Sequence, residues 1–292
     1  MGYGSTDEQL ANYPTAFRGD LFAGQVVLVS GGGSGLGKAT AALFARLGAR
    51  LVICGRKEER LAATVAFLET LGAEVLPVPM TIRDPAAVDA LMTRVWDEFG
   101  RLDVLVNNAG GQFPAAALDI TPKGWNAVVD TNLNGTWHMM QQAAKRWQET
   151  SSKGNIVNVV TVIWRGEPQI SHSCAARAGV VYLSKSVAVE WAPLGIRVNC
   201  VAPGCVETTA FSLYPEGGQE SFYEANPMHR AGDEFDIAEA ICYLAGPTGK
   251  FITGEVITVD GGQQCWGEPW FMGRPAYFDQ HPDKGRLKGD VR

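Results

Sequence analysis

A run of small residues, Ser30-Gly31-Gly32-Gly33-Ser34-Gly35-Leu36-Gly37, follows a short β-branched stretch and leads straight into a helical pattern. Glycines at such a turn let the backbone approach a pyrophosphate, and the helix N-terminus offers free N–H groups and the positive end of its dipole. A glycine cluster by itself also fits a plain strand–helix turn. Its place between the first strand and first helix of a βαβ unit favours the phosphate reading. In such a unit a carboxylate at the end of the second strand grips the ribose 2′-hydroxyl of NAD. Here Gly55-Arg56-Lys57 stand at that point. Two cations and no acid suit a 2′-phosphate, so NADP(H) is the expected cofactor, with Arg56 as its reader. The alternative is that Arg56 merely solvates the start of a helix.

The elements that must hold these groups are legible as alternating patterns. Residues 25–30, 50–54, 75–78, 102–106, 155–160, 196–201 and 255–259 read as short buried strands. Between them lie helical spacings at 35–47, 57–71, 175–192 and a stretch opened by Thr121-Pro122 that is predicted to run towards Thr150. Asp84 as N-cap and Pro85 at the first helical position start another, with Val88, Leu91, Met92, Val95 and Phe99 on one face. Asp236 with Glu239 resembles a capping box and predicts the start of the last helix. Seven strands alternating with helices predict one α/β domain built on a doubly wound parallel sheet. That domain spans residues 23–262. Residues 1–22 are expected to form an irregular arm, and 263–292 a tail rich in aromatics: Trp266, Trp270, Phe271, Tyr277 and Phe278. Five large aromatics are costly to leave in water, so the tail is predicted to pack over a neighbouring subunit or rim the cleft.

Composition narrows the function classes. The 292 residues are 46% hydrophobic and 19% charged, which excludes collagen, coiled coil and wholesale disorder. A net charge of −6 gives no basic field for nucleic acid or an anionic membrane. The 34 glycines are about 12% of the chain against a usual ~7%. Six cysteines without CxxC or paired spacing argue against zinc and against a disulfide framework. No stretch is apolar enough to span a membrane. The first residues lack a secretory pattern and the last four, Gly289-Asp290-Val291-Arg292, are not a peroxisomal address. A cytoplasmic protein is therefore expected.

Further motifs follow the glycine loop: Asn107-Asn108-Ala109-Gly110 after the fourth strand and Pro203-Gly204 after the sixth. Together they resemble the short-chain dehydrogenase/reductase family over about residues 22–262. The resemblance implies a seven-stranded Rossmann fold in a homodimer or homotetramer. It implies that Asn108, Ala109 and Gly110 back the adenosine, beside Gly31, Gly33, Ser34, Gly35, Leu36 and Gly37 of the glycine loop. Pro203, Gly204, Val206 and Thr208 would hold the nicotinamide carboxamide, and Asn132 would organise a proton-relay water.

At the catalytic end the sequence departs from the family, which carries a serine followed by Tyr-x-x-x-Lys. Aligning Ala175-Ala176-Arg177-Ala178-Gly179 on the family pattern puts Ser173 at the tyrosine and Arg177 at the lysine. The serine position falls on Thr161 or Val160 by two ways of counting, and Thr161 carries the hydroxyl. Carbonyl reduction needs an acid for the alkoxide, ordinarily a tyrosine whose pKa a lysine lowers. A serine cannot replace it near neutral pH. Tyr182 and Lys185 are separated by two residues rather than the family's three, and read as core packing.

A narrower resemblance fits that departure. Gly110-Gly111-Gln112-Phe113, the stretch His172-Ser173-Cys174-Ala175-Ala176-Arg177-Ala178-Gly179-Val180, and Phe251-Ile252-Thr253-Gly254 are similar to the branch of peroxisomal trans-2-enoyl-CoA reductase, a relative of the 2,4-dienoyl-CoA reductases of fatty acid metabolism. The resemblance implies an oxidoreductase that delivers hydride to the β-carbon of an acyl-CoA, with charge building on a thioester enolate. Hydrogen-bond donors suffice for that oxygen, and a water or cofactor hydroxyl delivers the α-proton. Arg177 would then grip the nicotinamide ribose, with Ser173 and Thr161 as donors. Ser173 as a helix N-cap, Thr161 as a strand-end hydroxyl and His172 as a structural residue remain open. Residues 210–227, with Phe211, Leu213, Tyr214, Phe222 and Tyr223, would form an aromatic lid or simply cover core. His229-Arg230 reads as structural. The competing functions are an NADP-linked dehydrogenase of an unsaturated or terpenoid alcohol or aldehyde, and a non-catalytic cofactor-binding protein.

Overall fold

The computed structural model describes residues 3–214, 216–267, 271 and 272. Seven strands form one parallel sheet in the order β3-β2-β1-β4-β5-β6-β7. They are β1 (Val26–Ser30), β2 (Arg50–Gly55), β3 (Val75–Pro79), β4 (Val104–Asn107), β5 (Gly154–Val159), β6 (Ile196–Pro203) and β7 (Val256–Val259). Each predicted strand is present, with ends shifted by at most two residues.

β1 is central and wholly buried. Because side chains alternate across a strand, Val27 and Val29 join one core while Val26 and Leu28 join the other. The first core packs α2 (Gly35–Arg46), α3 (Glu58–Thr70) and α9 (Glu234–Ala245) on one face of the sheet. The second packs α4 (Pro85–Phe99), α6 (Thr136–Glu149) and α7 (Ser171–Trp191) on the other. Strand order reverses between β1 and β4, and the crevice beyond their carboxyl ends is where an open α/β sheet takes its ligand.

Three expectations change in detail. The helix opened by Thr121 is interrupted: α5 (Pro122–Val129) passes through a π-helical turn, Asp130–Gly135, before α6 begins. Such turns break the regular hydrogen-bond ladder and are frequent at functional sites. The cap of α9 is Asp233 with Asp236, not Asp236 with Glu239; Asp233 accepts from the N–H groups of Phe235 and Asp236, and Asp236 accepts from Asp233 N–H in return. The N-terminal arm is not irregular throughout. It carries α1 (Asp7–Asn12), closed by a Thr6–Gln9 capping box. Leu10 is buried there, and Tyr13 stacks on Phe235 at 3.8 Å between ring centroids.

Of the aromatic tail, Trp266 lies against His229 at 6.1 Å and Phe271 is exposed. Trp270, Tyr277 and Phe278 fall outside the described residues. All six cysteines are free thiols. Among the described residues no helix is long and apolar enough to cross a membrane, and no group of His, Cys, Asp and Glu could hold a metal ion.

Candidate active site

The glycine loop fits its place by exclusion of side chains. Gly31 takes φ +70° and Gly35 φ +51°, a left-handed conformation that glycine adopts without steric cost. A Cβ on Gly37 would lie 2.2 Å from the Gly31 carbonyl oxygen and 2.5 Å from Asn108 Nδ2. Gly37 therefore does not face the cleft; it lets α2 press against the loop. Asn108 Nδ2 donates to the Ser30 carbonyl at 3.0 Å, and Ser30 Oγ accepts from Asn108 N–H and Ala109 N–H at 3.1 and 3.0 Å. These bonds stitch the end of β1 to the end of β4. Ser34, the N-cap of α2, makes no side-chain cap bond, which leaves the first-turn N–H groups for an anion.

Between these strand ends and the lid runs a cleft of about 800 Å³. Gly31, Gly33, Ser34, Gly35 and Leu36 line one end with Asn108, Ala109 and Gly110. Arg56, Lys57 and Arg60 line it beyond Gly55, while the neighbouring Glu58 and Glu59 do not. The cradle fits a dinucleotide: bare backbone for the pyrophosphate and a helix start aimed at it, with three cations beyond Gly55.

The far end is lined by Thr161, Glu167, Arg177, Gln112 and the loop of Pro203, Gly204, Val206 and Thr208. Arg177 projects from α7 under Gly110, where a Cβ would meet its Nη2 at 2.1 Å, and its Nη1 donates to the Val159 carbonyl. Burial lowers its pKa to about 10, so it remains a cation at neutral pH. Thr161 Oγ1 donates to the Pro203 carbonyl at 3.4 Å and also hydrogen-bonds the Glu167 carboxyl. Thr208 Oγ1 accepts from Ala210 N–H at 3.2 Å and so caps the start of the lid.

Asn132 and Ser173 are fully buried behind this surface rather than in it. Asn132, on the π-helical turn, accepts from Gly111 N–H at 2.9 Å and donates to the Gly111 carbonyl at 3.0 Å. Its Nδ2 lies 3.5 Å from Ser173 Oγ. Ser173 Oγ donates to Gln112 Oε1 at 2.8 Å, and Gln112 Nε2 donates to the Tyr214 hydroxyl at 3.3 Å. The Ser173 hydroxyl is thus committed to Gln112, and it is Gln112 that reaches the cleft. Nor is Ser173 a helix cap: the N-cap of α7 is Ile170. His172 is buried with its ring edge-on to Phe113 at 4.5 Å, a packing role.

Tyr182 and Lys185 are not core residues. Tyr182 is 67% exposed on α7, with the Lys185 ammonium 5.4 Å from its ring centroid, and neither lines the cleft. The lid, which carries α8 (Glu216–Glu224), does both things expected of it. Phe211 is buried, edge-on to Phe222 at 5.0 Å, while Phe211, Tyr214 and Phe222 also line the cleft. Arg230 pairs with Asp236 at 3.0 Å, a structural bond.

Glu167 and Gln263 belong to no sequence motif. Gln263 Oε1 accepts from Cys205 N–H at 3.0 Å, which orients its amide so that Nε2 donates to Glu167 Oε1, also at 3.0 Å. Gln263 and Glu167 are 96 residues apart in the chain, beyond any local spacing rule. Gln112 lies in Gly110-Gly111-Gln112-Phe113, a stretch that stands out only through the resemblance.

Residues 31–264 match the family model described as Enoyl-(Acyl carrier protein) reductase. The chain is 36% identical over 258 residues to a protein of Bacillus subtilis named probable 2,4-dienoyl-CoA reductase, covering 84% of this chain and 98% of that one. It is 34% identical to the peroxisomal 2,4-dienoyl-CoA reductase of Rattus norvegicus, covering 88% and 89%. Among solved structures, the citronellol catabolism dehydrogenase of Pseudomonas aeruginosa superposes with a TM-score of 0.77 at 38% identity, covering 86% of this chain and 99% of that one.

Proposed function

Because the chain belongs to the short-chain dehydrogenase/reductase family and is thereby a nicotinamide-dependent oxidoreductase, we propose that it reduces the conjugated double bond of an enoyl thioester, a trans-2-enoyl-CoA or a dienoyl-CoA, with NADPH. One observation carries this reading. Ser173 and Arg177 stand where a carbonyl reductase of the family has its tyrosine and lysine, and the Ser173 hydroxyl is turned into the protein onto Gln112.

The bound dinucleotide supplies the hydride. This chain does the rest. The glycine loop and the start of α2 hold the pyrophosphate, and Arg56, Lys57 and Arg60 favour the 2′-phosphate. Arg177, anchored on the Val159 carbonyl, presents a fixed cation below Gly110 for the nicotinamide ribose. Thr161 and Gln112 are neutral donors placed at the cleft. Such donors stabilise an enolate oxygen, which needs no proton of its own, but cannot supply the proton that an alkoxide requires. Asn132 sets Gln112 indirectly, by clamping Gly111 and backing Ser173. Phe211, Tyr214 and Phe222 give the acyl chain an apolar wall. Exposed Trp125, Tyr182 and Val189 suit burial in a homodimer or homotetramer, in the cytoplasm.

A second reading has one observation in its favour, the 38% identity to a citronellol catabolism dehydrogenase. An NADP-linked dehydrogenase of a terpenoid alcohol or aldehyde would use the same cleft. A panel of enoyl-CoAs, dienoyl-CoAs, enals and terpenoid alcohols, followed by NADPH absorbance, separates the two. Turnover of the thioesters supports the first reading; turnover of alcohols and aldehydes alone replaces it with the second.

A further inference from the structure

Resting on the reductase reading above, we propose that Glu167 is the proton donor of this cleft and that, in the thioester reaction, it protonates the substrate α-carbon. The missing tyrosine leaves the site without its usual acid, and Glu167 is a carboxyl group at the same end of the same cleft as Thr161 and Arg177.

Three features make it an acid rather than a structural carboxylate. First, its partners are neutral: the Gln263 amide at 3.0 Å and the Thr161 hydroxyl. The Gln263 amide is locked by the Cys205 N–H, so one carboxyl oxygen always faces a donor and the other is left to carry a proton. Second, the surrounding charges do not pair with it. From α7 it meets the Cys174 thiol, from the loop after β6 the Cys205 thiol, and from the turn after β7 comes the carboxylate of Asp260 near Cys205. Arg177 is spent on the Val159 carbonyl, and the Arg165 guanidinium on its own loop lies against Gly267. Third, burial raises its pKa above the ordinary glutamate value, against the opposing pull of the Gln263 and Thr161 hydrogen bonds.

The step balances. Two electrons reach the substrate β-carbon as the hydride supplied by NADPH, and the double-bond pair moves toward the thioester oxygen, held by Thr161 and Gln112. The Glu167 O–H bond breaks, a C–H bond forms at the α-carbon, and the carboxylate regains a proton from solvent. The active form is the protonated one, so turnover must fall as pH rises through the Glu167 pKa.

Glu167→Gln and Glu167→Asp test this, with two readouts. Infrared titration of the apo-protein reads the protonated carboxyl band directly. The expected result is a band that persists above the ordinary glutamate midpoint of about 4.3 and is missing from the Gln variant. Burial also raises the pKa of Asp233 and of Glu234, so the difference between parent and Gln variant is read; no difference above the ordinary glutamate midpoint overturns the proposal. In turnover, Glu167→Gln is expected to lose at least about 100-fold in kcat, the scale of general acid catalysis, with NADPH affinity unchanged and the alkaline fall in the pH profile gone. Glu167→Asp should restore part of the rate. A Gln variant within threefold of the parent overturns the assignment. If the parent turns over only alcohols and aldehydes, the thioester reading fails by itself. Glu167 is then judged by the same variants in that reaction, which also moves a proton.

Discussion

The two ends of the cleft are built on opposite principles. At the glycine-loop end the backbone is the ligand-binding surface, and the requirement is an absence of side chains: Gly31, Gly35 and Gly37 stand where a Cβ would strain or collide. At the far end the backbone is ordinary and everything depends on which side chains converge. Thr161 and Glu167 come from beyond β5, Gln112 from beyond β4, Arg177 from α7 and Gln263 from beyond β7. The first end tolerates almost no change of residue and can serve any reaction of the family. The second can be rewritten one side chain at a time, and it decides which reaction is run.

The largest effect should come from filling the backbone end. Gly37→Val puts methyl groups into the Gly31 carbonyl and Asn108, and is expected to raise the NADPH Kd by more than about 100-fold, or about 2.8 kcal/mol. It should also cost stability by about 1–3 kcal/mol, as overpacking does. Calorimetric binding and thermal unfolding measure both. Gly111→Ala is the control, since nothing lies within 4 Å of that Cβ; a loss as large as that of Gly37→Val would break the contrast.

Next comes the donor end. Thr161→Val should lower the thioester rate by up to ~100-fold if its hydroxyl meets the developing oxyanion, while cofactor affinity stays put. A change in Kd with no change in kcat would place Thr161 in binding instead. Gln112→Leu should act in the same direction and more weakly, because the backbone of Gly111 is still held by Asn132.

The smallest effect belongs to cofactor choice. NADPH is expected to bind at least about tenfold tighter than NADH, a difference of about 1.4 kcal/mol. Arg56→Ala should erase most of it, and Gly55→Asp with Arg56→Ala should reverse the order. Equal affinities in the parent would remove the cations from the cofactor's account.

The same contrast explains what the sequence made legible. β-branched runs such as Val26–Ser30 announce a buried strand because burial on both faces demands apolar residues throughout. The glycine loop is equally plain, since its steric demand is written in consecutive residues. The cap of α9 was misplaced by one step because Asp233, Asp236 and Glu239 repeat the same three-residue spacing. Only the bond from Arg230 to Asp236 and the folded turn select the first pair. The π-helical turn under Asn132 left no sign in the helical periodicity around it. Glu167 and Gln263 could not be read at all, because a pair 96 residues apart exists only once β5, β6 and β7 are side by side. Ser173 is a related case: the direction of its hydroxyl is set by Gln112 on another loop, which the order of residues in the chain does not show.

One measurement bears most directly on the division between the two ends: NADPH oxidation by the parent protein with a trans-2-enoyl-CoA and with a 3-oxoacyl-CoA of the same chain length. The two share the CoA thioester and the chain length and differ in whether the oxygen must take a proton. The expected result is an enoyl thioester turned over faster by at least about 100-fold, the order of a general acid contribution, because Glu167 serves the α-carbon and no tyrosine serves the oxygen. Reduction of the 3-oxoacyl thioester at an equal or greater rate would contradict it, and would mean that the cleft protonates an alkoxide without the tyrosine.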